Sequence, residues 1–385
     1  MTKSANVSMM NVLRNSSKKI KIFFLKIIAR IADILHLTKN FLPDTPQRCL
    51  IISTTGIGDT IWGTPAIRAL KKEMPDIHLS VLANINGAEI FKENPFVNNI
   101  FIFKKGILNI LSLLKELRNN HFDTAIVFHA TDRIIWLMAY LTGAGKIIGS
   151  KRHSKGMDFV ITHPVNIPHN THAIYARHLL IKESGVESDS KKIELFVTDD
   201  ERKRIDVFLK KIGINQNSFI IGFQPGAAKA YKRWPEKNFV KLGKMLSEIR
   251  NNVRIIITGD SNEKELAEGI SDKVNGISLA GKLTLREIFA VIERCSLFIT
   301  NDTGPMHIAV ALGTPTIALF SATGEENIEP YRSVSAFTVI SKPKPCKECV
   351  SKECEKPVCM EQITPEEVFE VVKKQIAKQG TNIVN

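Results

Sequence analysis

Asp302, Thr303, Gly304 and His307 are spaced as in a loop that binds a phosphate. A short apolar run before them predicts a strand, and a helix of small residues follows at once. Such an elbow points backbone N–H groups and the positive end of a helix at whatever lies above the strand. Gly304 lets a ligand approach the backbone closely. We therefore predict an anion site; the alternative is a plain helix cap, with His307 on the surface.

A second elbow carries the carboxylate of Asp59. Residues 50–52 predict a buried parallel strand, and Gly56 and Gly58 turn the chain after it. These glycines begin a dinucleotide fingerprint, but Ile61 stands where the third glycine would fall, and no acidic residue ends the next strand. The sequence therefore disfavours a nicotinamide cofactor. Asp59 remains an unusual carboxylate for this position, and its alternative role is to cap the helix.

A third strand-to-loop junction is rich in positive charge. An apolar strand ends at Pro225-Gly226, and Lys229, Lys232 and Arg233 follow in the loop. Cations of this kind hold a pyrophosphate through charge-assisted hydrogen bonds. Trp234 is predicted to belong mainly to the core.

Together, the three junctions resemble the bacterial lipopolysaccharide heptosyltransferases of glycosyltransferase family 9. The matching motifs are Gly58-Asp59 with Thr64-Pro65-Ala66, Pro225-Gly226 with Lys232-Arg233-Trp234-Pro235-Glu236, and Asp302-Thr303-Gly304-Pro305-Met306-His307. The resemblance spans residues 48–373 and implies an α/β protein of the GT-B fold, with two Rossmann-like domains facing a central cleft. Ser321 departs from the family, which commonly has glycine there.

The resemblance also implies a role for individual residues. Asp59 matches the general base of an inverting transfer, which takes the proton of the acceptor hydroxyl. The residues that match donor-binding positions are Lys232, Glu263, Asp302, Thr303, Gly304 and His307. Lys232 would contact the donor phosphates and Glu263 the ribose, so cations and backbone dipoles would stabilise the leaving diphosphate. No cofactor is then expected for catalysis.

The acceptor side is predicted from a further strand end. His129 and Arg133 follow the apolar residues 124–128, at the carboxyl edge where open α/β sheets bind ligands. They are candidate acceptor contacts; the alternative is ordinary loop polarity.

Four cysteines form a separate feature near the end of the chain. Cys346, Cys349, Cys354 and Cys359 read C-x2-C-x4-C-x4-C, a spacing at which four thiolates can close a tetrahedral zinc site. Two disulfides or free thiols are the alternatives. A nucleic-acid knuckle has similar spacing, but no aromatic residue lies within this one to stack on bases.

Residues 1–45 are basic and amphipathic. They hold eight Lys or Arg against two Asp, which supplies +6 of the net charge of +14. Cations interrupt the apolar stretch, so it matches neither a secretory signal nor a membrane span. Apolar residues at helical spacing predict a helix lying on an anionic membrane. A helix packed on the first domain is the alternative.

These observations combine into one organisation and one function. We expect a basic N-terminal segment (1–45), an acceptor-side domain (46–190), a nucleotide-sugar domain (191–345) and a four-cysteine element with a C-terminal helix (346–385). The expected function is inverting transfer of a heptose or similar sugar from a nucleotide sugar, favouring ADP-heptose, to an anionic glycolipid at the cytoplasmic face of the inner membrane. A nucleotide-sugar epimerase or a nucleic-acid-binding protein are the alternatives, and no nucleic-acid partner is expected.

Overall fold

The computed structural model describes residues 19–34, 43, 45–321, 334, 336–343, 346, 354 and 358–378. The chain divides into two compact units, and the division falls between Ser190 and Lys191. Within the described part of the chain, no helix is both long enough and apolar enough to cross a lipid bilayer.

The first unit is built on a six-stranded sheet in which every neighbouring pair is parallel. The strands are β1 (Arg48–Ser53), β2 (His78–Ala83), β3 (Asn99–Ile102), β4 (Thr124–His129), β5 (Lys146–Gly149) and β6 (His163–Pro164). Their order in the sheet is β3-β2-β1-β4-β5-β6. The central strands are nearly continuous apolar runs because helices cover both faces of the sheet.

Seven α-helices among the described residues accompany this sheet. They are α1 (residues 19–34), α2 (Ile57–Ile61), α3 (Thr64–Glu73), α4 (Ile85–Phe91), α5 (Ile107–Asn119), α6 (Arg133–Leu141) and α7 (Ala173–Lys182). Helices α1, α5 and α6 contribute to one apolar cluster with the strands, so all three lie on the same face of the sheet.

Helix α1 packs on the first unit through a narrow face. Ala29 and Ala32 are buried, Leu25 is half-buried against the same cluster, and Asp33 accepts a hydrogen bond from the Tyr140 hydroxyl of α6. Its large apolar side chains instead face outward, with exposed fractions between 37% and 74%: Ile20, Phe23, Phe24, Ile27, Ile28, Ile31 and Ile34. The helix therefore packs on the domain, as the alternative prediction held, and still presents an apolar surface.

The second unit repeats the architecture. Its strands are β7 (Phe219–Gln224), β8 (Val253–Ile257), β9 (Ile277–Ser278), β10 (Leu297–Asn301), β11 (Thr316–Phe320) and β12 (Phe337–Ser341), all parallel, in the order β12-β11-β10-β7-β8-β9. Its helices are α8 (Asp199–Lys211), α9 (Glu236–Ser247), α10 (Lys264–Val274), α11 (Leu285–Arg294), α12 (Gly304–Leu312), α13 (Val358–Glu361) and α14 (Pro365–Lys378). Two parallel α/β units of this kind confirm the predicted fold class.

The end of the chain belongs to the core of this second unit. Val368, Val372 and Ile376 of α14 are fully buried in its apolar cluster. The indole nitrogen of Trp234 donates a hydrogen bond of 2.9 Å to the carbonyl oxygen of Ile363. The core role predicted for Trp234 is confirmed, and the segment just before α14 holds the loop that contains it.

Candidate active site

Asp59 lies directly beyond β1, in the first turn of α2. Gly56 occupies the N-cap position without a side-chain cap, so the Asp59 carboxylate does not cap this helix. About a third of its side chain is exposed. One carboxylate oxygen lies 3.6 Å from Nη2 of Arg177, and the other lies 3.9 Å from Nδ1 of His129. The structure thus gathers a carboxylate, a guanidinium and an imidazole at the carboxyl edge of the first sheet.

Arg177 is the member of this group that the sequence analysis missed. It lies on α7, only 3% of its side chain is exposed, and its Nη2 donates a 2.8 Å hydrogen bond to the backbone carbonyl of Asp59. Its Nη1 donates to the carbonyl of Ala173, one turn earlier. A buried guanidinium must be paired, so this one fixes both the backbone and the carboxylate of Asp59. No local pattern marks Arg177, because its partner is 118 residues away.

The imidazole of His129 has a lowered pKa. Burial lowers the pKa of its imidazole, and the cations Arg177 and Lys155 and the ring of His153 lower it further, while Asp59 opposes them. The ring centroids of His129 and His153 are 6.3 Å apart. Because this pKa lies below the ordinary value of about 6.5, the imidazole is mainly neutral at pH 7, and its Nδ1 lies 3.9 Å from Asp59, beyond direct hydrogen-bond distance.

Arg133 lies in a different place from His129, the other predicted acceptor residue. It begins α6, and its Nε donates a 2.8 Å hydrogen bond to the carbonyl of Lys155. It also lines a pocket whose other residues are Lys21, Phe24, Leu25, Asp132 and Ile134. Arg133 thus faces α1, whereas His129 faces Asp59.

In the second unit, Lys232 and Asp302 form an ion pair. Lys232 ends a short 3-10 turn after β7, Asp302 follows β10, and the ammonium contacts Oδ2 of the carboxylate. The two strands are neighbours in the sheet, so their carboxyl ends lie side by side. Asp302 is buried and Lys232 is about one-quarter exposed. The ammonium therefore reaches both a fixed carboxylate and solvent.

Asn301 ties the two loops of this site together, a role that the sequence analysis did not assign. It is fully buried; its Nδ2 donates to the carbonyl of Pro225 at 2.8 Å, and its Oδ1 accepts from the backbone of Trp234 at 3.1 Å. The only local sequence signal for this role of Asn301 is its position just before Asp302.

Glu263 lies at the same sheet edge. Its carboxylate accepts hydrogen bonds from Nε2 of Gln224 at 3.0 Å and from the backbone of Asp260 at 3.2 Å. A Cβ atom added to Gly226 would lie 1.8 Å from Oε1 of Glu263. A side chain at position 226 would therefore displace the Glu263 carboxylate from this position. The Pro225-Gly226 turn and Glu263 are therefore one packed unit beside the Lys232–Asp302 pair.

The start of α12 follows β10 at the same edge of the second sheet. Thr303 occupies the N-cap position but its side chain makes no capping hydrogen bond, and Gly304 begins the helix. The Thr303 hydroxyl is buried and finds no hydrogen-bond partner within the described residues. A helix start with an unused hydroxyl is suited to an anion. His307 is buried, in contrast to the surface position that the helix-cap alternative gave it.

The described cysteines near the end of the chain carry free thiols. Cys346 is exposed, Cys354 and Cys359 are half-buried, and Cys349 lies outside the described residues. Within the described ranges, no three His, Cys, Asp or Glu side chains are grouped so that they could hold a metal ion.

Comparison with protein families gives a match over more than half of the chain. The family described as "Glycosyltransferase family 9 (heptosyltransferase)" matches residues 110–359. Among curated proteins, the chain is similar to lipopolysaccharide heptosyltransferase 3 of Escherichia coli K12. The two are 30% identical over 294 residues, which cover 71% of this chain and 82% of that protein.

Solved structures share the fold over nearly their whole length. A glycosyl transferase of family 9 from Veillonella parvula aligns with a TM-score of 0.74 at 22% identity, covering 86% of this chain and 97% of that one. The E. coli heptosyltransferase WaaC with ADP-2-deoxy-2-fluoro heptose aligns with a TM-score of 0.65 at 18% identity, covering 85% and 99%.

Proposed function

Because the chain belongs to glycosyltransferase family 9 and is a glycosyltransferase, we propose that it moves a heptose from ADP-heptose to a lipopolysaccharide core-type acceptor, with inversion. The gathering of Lys232, Asp302 and Glu263 at one sheet edge carries this proposal, since it supplies groups for a diphosphate and a ribose. The name of the E. coli relative and the donor analogue bound to WaaC favour the heptose and the adenine nucleotide.

The second unit would bind the donor. A diphosphate would share the Lys232 ammonium with Asp302, while the Thr303 hydroxyl and the N-terminal end of α12 would hold further phosphate oxygens. Glu263, fixed by Gln224, would accept hydrogen bonds from the ribose hydroxyls. The Lys232 ammonium and the positive end of α12 would stabilise the charge of the leaving diphosphate, and we propose a reaction without a divalent ion.

The first unit would activate the acceptor. Asp59 takes the proton of the acceptor hydroxyl as its oxygen bonds to the anomeric carbon, and the bond from that carbon to the diphosphate breaks. The nucleoside diphosphate leaves with that electron pair. Arg177 would keep the carboxylate oriented, and His129 lies near its second oxygen, where it could contact the acceptor.

A transfer assay tests this function. Purified protein, ADP-heptose and a heptose-deficient core oligosaccharide should give a product one heptose heavier by mass spectrometry, with inverted anomeric configuration by NMR and unchanged yield in EDTA. Conversion of the donor in the absence of acceptor would instead identify an epimerase.

Lys232→Ala is expected to weaken binding of the nucleoside diphosphate by about 1.5–3 kcal/mol, the range for a hydrogen bond to a charged group. Calorimetry with the diphosphate and the monophosphate measures this, and the monophosphate should lose less. Lys244→Ala is the matched control, because it removes the same charge from an exposed site in the last turn of α9. Equal losses for the two nucleotides would show that Lys232 does not reach the outer phosphate.

We also propose that the four cysteines bind one structural zinc ion. Their spacing supports this proposal, and the three described members have free thiols with access to solvent. Elemental analysis should find one zinc per chain, and Cys349→Ser should remove it and lower the melting temperature. Cys295→Ala is the control, because burial raises the pKa of that thiol to about 12 and keeps it protonated. Iron in place of zinc, or metal-free protein, would contradict the assignment.

We propose further that the outward face of α1 holds the enzyme on the cytoplasmic surface of an anionic membrane. Phe23, Ile27 and Ile31 form one exposed stripe, opposite the buried Ala29 and Ala32. Exchanging the three stripe residues for serine should lower binding to anionic vesicles by about tenfold or more. Transfer to a soluble acceptor should be unchanged, and salt should weaken the wild-type binding. Unchanged vesicle binding would leave α1 as a packing helix only.

A further inference from the structure

A second apolar surface lies at the start of α5. Ile107, Leu108 and Leu111 are 75%, 78% and 57% exposed, although they lie on a well-formed helix of 13 residues. The opposite side of the helix is buried through Leu113 and Leu117. The three exposed residues therefore form a surface patch and do not belong to the core. We call this patch the apolar tip of α5. Contiguous apolar patches of this kind mark binding surfaces.

The apolar tip lies on the same side of the molecule as α1. Leu113 of α5 and Ala29 of α1 belong to one apolar cluster, on one face of the first sheet. Helix α5 follows β3 and so begins at the carboxyl edge of that sheet. Helix α6 follows β4 and begins at the same edge, where its first residues share a pocket with Lys21 and Phe24 of α1. The apolar tip and the first half of α1 therefore flank α6 at one edge, which is also the edge that carries Asp59.

The charges around the apolar tip point to one kind of partner. Lys104 and Lys105 precede it and are exposed, and no acidic residue occurs from Asn99 to Lys115. Lys21 and Lys26 of α1 are also exposed. Exposed apolar side chains with flanking cations fit the interface of an anionic bilayer. A second copy of this chain would instead bring the same cations against one another.

We infer that the apolar tip of α5 is a second membrane contact, which acts together with α1. A single interfacial helix leaves the protein free to turn about the axis of that helix. A second contact away from that axis stops this rotation and fixes the plane in which the protein meets the membrane. That plane brings the carboxyl edge of the first sheet, and with it Asp59, toward the lipid surface. The purpose of this contact rests on the proposed transfer to a membrane-borne acceptor. The contact itself concerns only how the protein binds to a membrane and how it is oriented there.

A tryptophan probe tests the contact directly in the full-length protein. Leu108→Trp should shift its emission to shorter wavelength, relative to wild type, on vesicles of phosphatidylethanolamine and phosphatidylglycerol. Brominated lipids in the same vesicles should quench it. Val207→Trp is the matched control, because Val207 is 57% exposed on α8 of the second unit. Absence of quenching at residue 108 while the protein is bound to vesicles would overturn the inference.

A loss-of-contact variant separates this inference from the proposed function. Ile107, Leu108 and Leu111 exchanged for serine should lower vesicle binding by about tenfold or more. Transfer to a soluble acceptor should stay at the wild-type rate, and transfer to an acceptor embedded in vesicles should fall. Failure of wild type to act on the soluble acceptor would refute the proposed function alone. A wild-type dimer that the triple exchange converts to a monomer would assign the patch to a second copy and overturn the membrane contact.

Discussion

Replacement of Asp59 by asparagine is expected to lower turnover by about 10²–10⁴-fold, the range for loss of a general base. Asparagine keeps the size of the side chain and cannot take the proton of the acceptor hydroxyl. Donor affinity should remain within about twofold, because the proposed donor groups lie in the second unit. Steady-state kinetics with a soluble acceptor, together with calorimetry of ADP binding, measure both quantities.

Variants at two other positions test whether the loss of turnover is specific to the Asp59 group. Arg177→Met removes the guanidinium that holds Asp59 and should also lower turnover, while Arg177→Lys should retain part of it. Asp158→Asn is the matched control, because this carboxylate pairs with Ser154 and not with the Asp59 group. Near-normal turnover of the Asp59→Asn protein would exclude Asp59 as the base.

Arg286→Met is expected to lower the free energy of unfolding of the second unit by about 3–5 kcal/mol, because it leaves a buried carboxylate without its partner. Arg286 of α11 binds Glu201 of α8 through two hydrogen bonds of 2.8 and 2.6 Å, and both side chains are buried. Urea denaturation followed by circular dichroism measures the change. Exchange of both residues, Arg286→Met with Glu201→Gln, should restore much of the loss.

A second ion pair between the same helices is the control. Arg202 of α8 and Glu293 of α11 are more exposed, so Arg202→Met should change the free energy of unfolding by about 1 kcal/mol or less. If Arg286→Met lowers the free energy of unfolding no more than Arg202→Met does, then burial does not strengthen the Arg286–Glu201 pair.

The Arg286–Glu201 pair also predicts a pH dependence. Burial alone would raise the pKa of Glu201, but hydrogen bonds from Arg286 and Thr198 outweigh it and lower the pKa to about 2. An ordinary glutamate has a pKa of about 4.3, so the stabilisation is complete above that pH and is lost as the pH falls toward 2. The stability difference between wild type and Arg286→Met should therefore shrink over this interval and stay constant from pH 5 to 8.

Much of the fold follows from local patterns. Apolar runs that end in glycine or a polar elbow specify a strand and the turn after it, because each signal acts within a few residues. The junctions at Lys232 and Asp302 follow from such patterns, and the structure places both at one sheet edge. The catalytic role of Asp59 and the binding roles of all the other predicted site residues remain predictions.

Sequence by itself determined the kinds of element in this protein and the residues at the strand ends, because helix periodicity, turn chemistry and capping are short-range effects. Tertiary structure alone decided which distant residues meet. Arg177 reaches Asp59 only because α7 packs against α3 and β4, and a side chain at position 226 would displace the carboxylate of Glu263, which is distant in sequence. Likewise, helical spacing showed that α1 has an apolar face, but burial of Ala29 was needed to show which side packs and which stays exposed. Sheet order and side-chain volume govern these contacts, and no short stretch of sequence encodes either.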